Sequence, residues 1–180
     1  MKSTRKLNFL GPADVEAAVS EIAEMAAEQG AKIALVGGVA MAAYGSDRLT
    51  SDVDVASNLL LVGISHPKRL SFGGVSGRSP SGHPVDIIVR DDAYMLLYEE
   101  AIDSSHDVGL PVPVVLPSYL AALKMAAARP KDEEDLRSLI RMGLDRPSAR
   151  LVIKRYLGEY AAREFDSICD EIDWQSSREK

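Results

Sequence analysis

The stretch 36–55, VGGVAMAAYGSDRLTSDVDV, constrains the fold more than any other part of the chain. It follows a short apolar run at 31–36 that is typical of a buried strand. After Gly37 and Gly38, an Ala-rich segment predicts a short helix that Gly45 ends. The alternation of polar and apolar residues in TSDVDVA then predicts a strand. We therefore expect two strands joined by a glycine turn and a short helix.

The remaining patterns divide the chain into a mixed first part and a helical last part. Apolar residues at helical spacing predict a first helix at 12–29. RLSFGGVS (69–76) and PVDIIVR (84–90) predict two strands of a hairpin with a Gly/Ser/Pro-rich tip, whereas the pattern at 58–68 is ambiguous. Further helices are predicted at 91–103, 118–128, 131–142 and 147–172.

Composition and charge argue against several classes of protein. With 180 residues the chain suits one domain, or one domain with a small appendage. Its net charge of -6 argues against a protein that coats nucleic acid non-specifically. The sequence has no apolar run long enough for a membrane helix and no signal-peptide pattern, and Cys169 is the sole cysteine. These features predict a cytoplasmic protein without a disulfide framework.

Positive charge is concentrated in residues 117–155, which hold nine Lys or Arg against five Asp or Glu. A basic surface of this kind could receive a polyanion beside the acidic remainder of the chain. The alternative is that these charges belong to a solvated helical face.

Two aspartates lie two residues apart in the strand predicted at TSDVDVA. Because a strand sends alternate side chains to opposite faces, Asp52 and Asp54 point the same way, about 7 Å apart along the backbone. Two carboxylates on one half-buried face repel each other unless a cation lies between them, and Mg²⁺ prefers such oxygen ligands. The alternative is an edge strand whose two carboxylates face solvent.

The glycine pair and a third acid favour a metal-dependent phosphate site. Gly37 and Gly38 follow a strand and open a helix, where backbone N–H groups can receive a phosphate; the alternative is a tight turn without a ligand. Asp86 lies in HPVDIIV, a predicted strand of the right length to pair beside 52–55. Three carboxylates can hold two metal ions that clamp the entering and leaving oxygens of a displacement at phosphorus.

These residues resemble the signature of the DNA polymerase beta-like nucleotidyltransferase superfamily, in which an apolar residue and G-[GS] precede D-apolar-[DE]-apolar. Here Val36, Gly37 and Gly38 are followed by thirteen residues and then by DVDV at 52–55. Asp86 matches the third carboxylate of the superfamily, which lies on a later strand. More narrowly, the stretch resembles the G-G-x-A…R-x-T-x-D-x-D pattern of the AbiEii-type nucleotidyltransferases, the enzymes of type IV toxin–antitoxin systems.

The helical part of AbiEii-type proteins often carries a K…R-x-K-D-x-x-D stretch. The segment LKMAAARPKDEEDL supplies these residues in the same order, as Lys124, Arg129, Lys131, Asp132 and Asp135. The alternatives are that Lys124 reaches past its apolar helix to water, and that the two aspartates are ordinary acids of a helix N-terminus.

The resemblance implies an α+β protein with the nucleotidyltransferase fold, a small mixed β-sheet flanked by helices and followed by a C-terminal helical region. It places a catalytic core at 1–116 and a helical region, packed on the core, at 117–180. The basic excess of the helical region would then form one wall of the acceptor cleft.

The resemblance also implies a metal-dependent enzyme that moves an NMP from an NTP to a hydroxyl acceptor and releases pyrophosphate. Asp52, Asp54 and Asp86 would be the catalytic residues and the ligands of two Mg²⁺ ions, with Mn²⁺ as an alternative metal. Asp86 would also help to deprotonate the acceptor. The resemblance leaves the acceptor open between a tRNA end, a protein hydroxyl and a small molecule such as an aminoglycoside.

Five residues would bind the nucleotide by the same resemblance. Gly37 and Gly38 would hold the triphosphate, and Lys124 would contact its phosphates. Arg48 would hold a phosphate or brace its own loop, and Thr50 would bind the nucleotide or bond the backbone beside the strand.

A toxin of this type would also have an antitoxin partner, and no membrane partner is expected. The alternative function is a non-catalytic member of the same fold that binds a nucleotide or a protein.

Overall fold

Residues 9–178, the part of the chain described by the computed structural model, form six helices and five strands. In chain order these are α1 (Pro12–Gln29), β1 (Ile33–Leu35), α2 (Gly37–Ala43), β2 (Val53–Ser57), β3 (Ser65–Arg69), β4 (Val75–Arg78), β5 (Pro84–Ile88), α3 (Met95–Asp103), α4 (Pro117–Ala127), α5 (Pro130–Arg141) and α6 (Arg146–Arg178).

The five strands form one mixed sheet in the order β1-β2-β5-β4-β3. β2 and β5 run parallel to each other, and the other three strand pairs are antiparallel. The hairpin of β3 and β4 supplies the long connection that a parallel pair requires. Side chains of β2 and β5 that point away from the acidic face, including Val53, Val55, Val85 and Ile87, are fully buried. The predicted α+β fold with a small mixed sheet flanked by helices is confirmed.

The predicted hairpin is present, and its second strand, at 84–90, corresponds to β5. The first strand was predicted at 69–76, which is wrong in its position. β4 pairs with β5, but it begins at Val75, because 70–74 form the turn that joins β3 to β4. Gly74 has φ 90°, and a Cβ there would lie 2.0 Å from the carbonyl oxygen of Ile87, so the turn requires glycine. β3 lies within the ambiguous region at 58–68 and beyond it to Arg69; all five of its residues are exposed, which removes the alternation that marks a half-buried strand.

The last third of the chain is helical, as predicted. α4 packs against α3, α5 and α6, and its buried side chains join those of the sheet in one apolar core. α6 is longer than the predicted helix at 147–172 and is interrupted at Gly158, whose φ of 90° and ψ of 175° are not helical. The division of the chain into a core at 1–116 and a helical region at 117–180 stays a prediction.

Within residues 9–178, none of the helices combines the length and the apolar character needed to cross a membrane.

Candidate active site

Three carboxylates meet on one face of the sheet. The parallel register of β2 and β5 places Asp54 directly opposite Asp86, and Asp52 immediately precedes β2. Each of the three aspartates offers a carboxylate oxygen that lies within 4.8 Å of the others. The predicted pairing of the Asp86 strand beside 52–55 is confirmed.

The glycine pair is packed against these acids. Gly37 has φ 62°, and a Cβ on it would lie 1.8 Å from the Oδ2 atom of Asp54. A Cβ on Gly38 would lie 2.6 Å from the Oγ1 atom of Thr50. Any side chain at Gly37 would therefore displace the Asp54 carboxylate, which explains in physical terms why the double glycine and the acidic strand occur together.

Thr50 holds the segment that carries the first acid. Its hydroxyl donates a hydrogen bond of 2.8 Å to the backbone carbonyl oxygen of Asp52. The backbone N–H of Val36 in turn donates to the carbonyl oxygen of Asp54 at 3.0 Å. The strand and the glycine turn are thus fixed to each other by their backbones, and the role of Thr50 in nucleotide binding stays a prediction.

The electrostatic environment disfavours negative charge on Asp54 and Asp86. Burial, together with the neighbouring charges of Asp52 and Asp86, raises the pKa of Asp54 to about 6. Burial also raises the pKa of Asp86, although the Ser76 hydroxyl partly offsets this by bonding to its carboxylate. A bound cation would relieve both the desolvation and the mutual repulsion, and clustered carboxylate oxygens are the donors that Mg²⁺ and Mn²⁺ prefer. The three side chains therefore fit a divalent metal.

The acids lie in a cleft of about 250 Å³ between the sheet and the helices. Its walls include both glycines of the pair, all three aspartates, and cations from the α2–β2 loop and from α4 and α5. The predicted site residues that line it are Gly37, Gly38, Arg48, Asp52, Asp54, Asp86 and Lys124. Thr50 lies behind Gly38 instead.

Lys124 does not reach water, and its ammonium group is already paired with two aspartates. Its side chain is only 6% exposed, and its Nζ atom donates to Asp132 at 3.3 Å and to Asp135 at 2.5 Å. Asp135 also accepts a hydrogen bond from Arg48, and Asp132 accepts one of 2.5 Å from Arg129. The five side chains form an alternating chain of charges that connects the α2–β2 loop, α4 and α5; we call it the buried ion chain.

The two aspartates of the buried ion chain are more than the ordinary N-terminal acids considered above. Asp132 does lie in the first turn of α5, but it is 1% exposed, and Asp135 is 4% exposed. Burial by itself would raise the pKa of Asp132, yet Arg129 and Lys124 hold that pKa below its ordinary value. Both carboxylates therefore act as counter-ions that keep a lysine at the wall of the cleft.

Lys131 is a cation of the cleft outside this chain of pairs. Its side chain is exposed and, within residues 9–178, it makes no ion pair. Its charge nevertheless acts on both Asp54 and Asp86 and partly offsets the increase in their pKa values. Lys131 thus offers an uncommitted positive charge close to the acids.

Sequence reasoning missed an aromatic wall on the α3 side of the cleft. The guanidinium carbon of Arg90 lies 5.7, 5.1 and 5.5 Å from the ring centroids of Phe72, Tyr94 and Tyr98. Arg90 also donates to Asp92 through Nε, at 3.0 Å, and through Nη2. Asp86, Ile88 and Arg90 all line the cleft, as alternate residues of one extended segment should. This period-two spacing from Asp86 is the signal that could have found Arg90.

No protein-family model and no curated protein matches the chain. Among solved structures, it is similar to the antibiotic-resistance factor ANT(2'')-Ia, with a TM-score of 0.53, 17% identity, and coverage of 84% of this chain and 96% of that chain. The chain has the nucleotidyltransferase fold.

The chain is also similar to the solved structure of an antigenic nucleotidyltransferase-like protein from Paracoccidioides brasiliensis. The TM-score is 0.48 and the identity 17%, over 75% of this chain and 78% of that chain. The likeness to ANT(2'')-Ia supports the nucleotidyltransferase fold alone, and the narrower AbiEii-type resemblance stays a prediction.

Proposed function

We propose that the protein is a nucleotidyltransferase that moves a nucleoside monophosphate from an NTP to a hydroxyl acceptor and releases pyrophosphate. The observation that carries the proposal is the contact between the glycine turn and the acids: Gly37 leaves room for Asp54, and Asp54 lies opposite Asp86. A structural strand would have no need for three mutually repelling carboxylates in a cleft.

Asp52, Asp54 and Asp86 are the proposed holders of Mg²⁺, for which Mn²⁺ could substitute. When bound, the metal would neutralise the phosphate charge and polarise the phosphorus centre. The rest of the proposed mechanism uses the chain's own groups, since phosphoryl-transfer chemistry consists mostly of positioning and charge stabilisation.

Proton transfer is assigned to Asp86. Its carboxylate lines the cleft on β5, opposite Asp54, where it can accept a proton from the attacking hydroxyl. The hydroxyl oxygen then forms a bond to the α-phosphorus as the bond from that phosphorus to the pyrophosphate oxygen breaks. Asp52 and Asp54 are assigned to metal binding alone.

Phosphate binding is assigned to the glycine turn and to the cations of the cleft. Gly37 and Gly38 line the cleft next to the acids, where a substrate phosphate can approach their backbone. Lys124 uses two of its three N–H donors on aspartates, which leaves the third for a phosphate. Lys131 is exposed, and its positive charge acts on both Asp54 and Asp86. We therefore propose it as a further phosphate ligand.

Arg48 lines the cleft while it pairs with Asp135, so we assign it both to the buried ion chain and to the phosphate wall. Thr50 is assigned to the site through Asp52, whose backbone it fixes.

The biological setting follows from the narrower resemblance. We propose a cytoplasmic AbiEii-type enzyme, the toxin of a toxin–antitoxin pair, whose acceptor is a tRNA, a protein or a small molecule. The antitoxin would be its protein partner.

The test is incubation of the full chain with each labelled NTP and Mg²⁺, with and without RNA, protein extract or small-molecule hydroxyl acceptors. We expect label transfer that EDTA abolishes and that Asp54→Asn lacks. Asp170→Asn changes an exposed aspartate of α6 and is the matched control, which should keep full activity. If all acceptors stay unlabelled and no metal-dependent nucleotide binding is detected, the enzyme assignment is wrong.

A further inference from the structure

The aromatic wall, formed by Phe72, Arg90, Tyr94 and Tyr98, is explained by core packing only at Tyr98, which packs against the apolar core. Phe72 lies in the turn between β3 and β4 and is 36% exposed, an unusual place for a phenylalanine that only fills a core. The two tyrosines, at the start and in the first turn of α3, are partly buried. All four side chains face the same cleft as the acids.

The Arg90 guanidinium of the wall is paired with Asp92. The two hydrogen bonds to Asp92 hold the guanidinium plane of Arg90 and balance its charge, and the backbone N–H of Tyr94 donates to the same carboxylate at 3.1 Å. The Arg90 side chain is only 9% exposed, so its geometry is fixed before any ligand arrives. Because its charge is already paired, the wall is poorly suited to capture a phosphate and well suited to contact a flat, uncharged ring.

The distribution of the other charges places the phosphates elsewhere in the cleft. Lys131 is exposed and acts on the acids, whereas the guanidinium of Arg90 is committed to Asp92. Arg90 lies four residues beyond Asp86 along an extended segment, so the two backbones are separated by about 13 Å. A ligand with phosphates at the acids can therefore extend a separate, uncharged part to the aromatic wall.

We propose that the aromatic wall is the nucleobase subsite for the incoming NTP, with the base stacked against Phe72 and the plane held by Arg90. This inference rests on the proposed function, since it requires that the triphosphate be bound at the acids. Stacking of a base on aromatic and guanidinium planes contributes to affinity through the π-face that every base has, so the subsite accepts all four bases.

The experiment compares two probes that share phosphates and differ in the base. The full-length protein with Mg²⁺ is titrated in a calorimeter with α,β-methylene-ATP, which cannot undergo transfer, and separately with inorganic tripolyphosphate. Phe72→Ala should weaken binding of the ATP analogue about tenfold and leave tripolyphosphate binding unchanged.

Arg90→Lys is the second variant, and it separates shape from charge. Lysine keeps the positive charge and loses the plane, so the ATP analogue should again bind more weakly while tripolyphosphate binds as before. Tyr160→Ala removes an aromatic side chain that is 76% exposed on α6 and is the matched control, expected to change neither affinity.

The outcomes separate this inference from the proposed function. If wild type binds both probes and Phe72→Ala and Arg90→Lys change neither affinity, or change both equally, the aromatic wall is not a base subsite. If wild-type protein binds neither probe, the proposed nucleotide site itself is wrong, and the subsite inference falls with it.

Discussion

At the scale of single residues, the site depends on the absence of one side chain. Gly37 has a left-handed φ of 62°. A Cβ atom added to it would lie only 1.8 Å from the Oδ2 atom of Asp54. The sequence predicted that the double glycine and the acids belong together, but it could not show why. The structure supplies the reason, which is a steric exclusion between the two motifs.

Gly37→Ala is expected to destabilise the fold and to disrupt the acidic cluster. Gly30→Ala is the matched control, because Gly30 has φ 65° and nothing within 4 Å of a built Cβ. The control should lose about 1 kcal/mol through backbone strain alone. Urea unfolding should show a larger loss for Gly37→Ala, and equal losses in the two variants would contradict the close packing against Asp54.

A second residue-scale prediction concerns Asp54 and pH. Its pKa is raised to about 6 in the folded protein, so the folded state holds the proton more tightly than the unfolded state does. In EDTA this contribution to stability is fully present below about pH 4 and is lost as pH rises through about 6.

Asp54→Asn cannot ionise, so this part of its stability should not change with pH. Denaturant unfolding in EDTA should therefore show that the variant gains about 1.4 kcal/mol of stability relative to wild type between pH 5 and pH 8. A constant difference across that range would mean that burial and the neighbouring acids do not perturb Asp54.

At the scale of secondary-structure elements, the buried ion chain joins the α2–β2 loop to α4 and α5. A helical surface pair would contribute little, but Lys124, Asp132 and Asp135 are almost completely buried. Removal of one partner leaves the others charged and desolvated. The same cluster explains why a lysine is found on the otherwise apolar helix α4.

Lys124→Ala should cost about 3–5 kcal/mol of unfolding free energy, because two buried carboxylates lose their shared cation. Lys154→Ala removes an exposed lysine that pairs with Glu159, and it should cost less than about 1 kcal/mol in the same urea titration. Comparable small losses in both variants would show that the chain of buried charges does not stabilise the helices.

Lys131→Ala should affect ligand binding rather than stability. Its side chain is exposed, so unfolding should hardly change, whereas binding of tripolyphosphate with Mg²⁺ should weaken by about 1–2 kcal/mol. A variant that binds tripolyphosphate as tightly as wild type would remove Lys131 from the phosphate wall.

Elements differ in how well the sequence predicts them. α1 has clear periodicity and close flanking signals and was predicted to the residue, whereas β2, at 53–57, begins three residues after the strand predicted at 50–56. β3 was missed because all its residues are exposed, and its pairing is set by contact with β4 rather than by a local pattern. The contact between Phe72 and Arg90 was missed for a similar reason, since it depends on how the β3–β4 turn folds over the end of β5.

At the scale of the whole molecule, one parallel strand pair creates the site. β2 and β5 are separated in the sequence by the β3–β4 hairpin, yet their register brings Asp54 beside Asp86. The glycine turn, α3 and the α4–α5 pair then enclose the acids in a cleft. The order and spacing of the acids were sufficient to predict this meeting, whereas the aromatic and ionic walls required the folded chain.

The most direct test of nucleotidyl transfer compares NTPs labelled at the α-phosphate with NTPs labelled at the γ-phosphate. In the presence of Mg²⁺, the acceptor should acquire the α-label only, and the γ-label should appear in pyrophosphate. Asp54→Asn should transfer neither label. Transfer of the γ-label to the acceptor, or release of γ-labelled orthophosphate without any α-labelled product, would contradict the account.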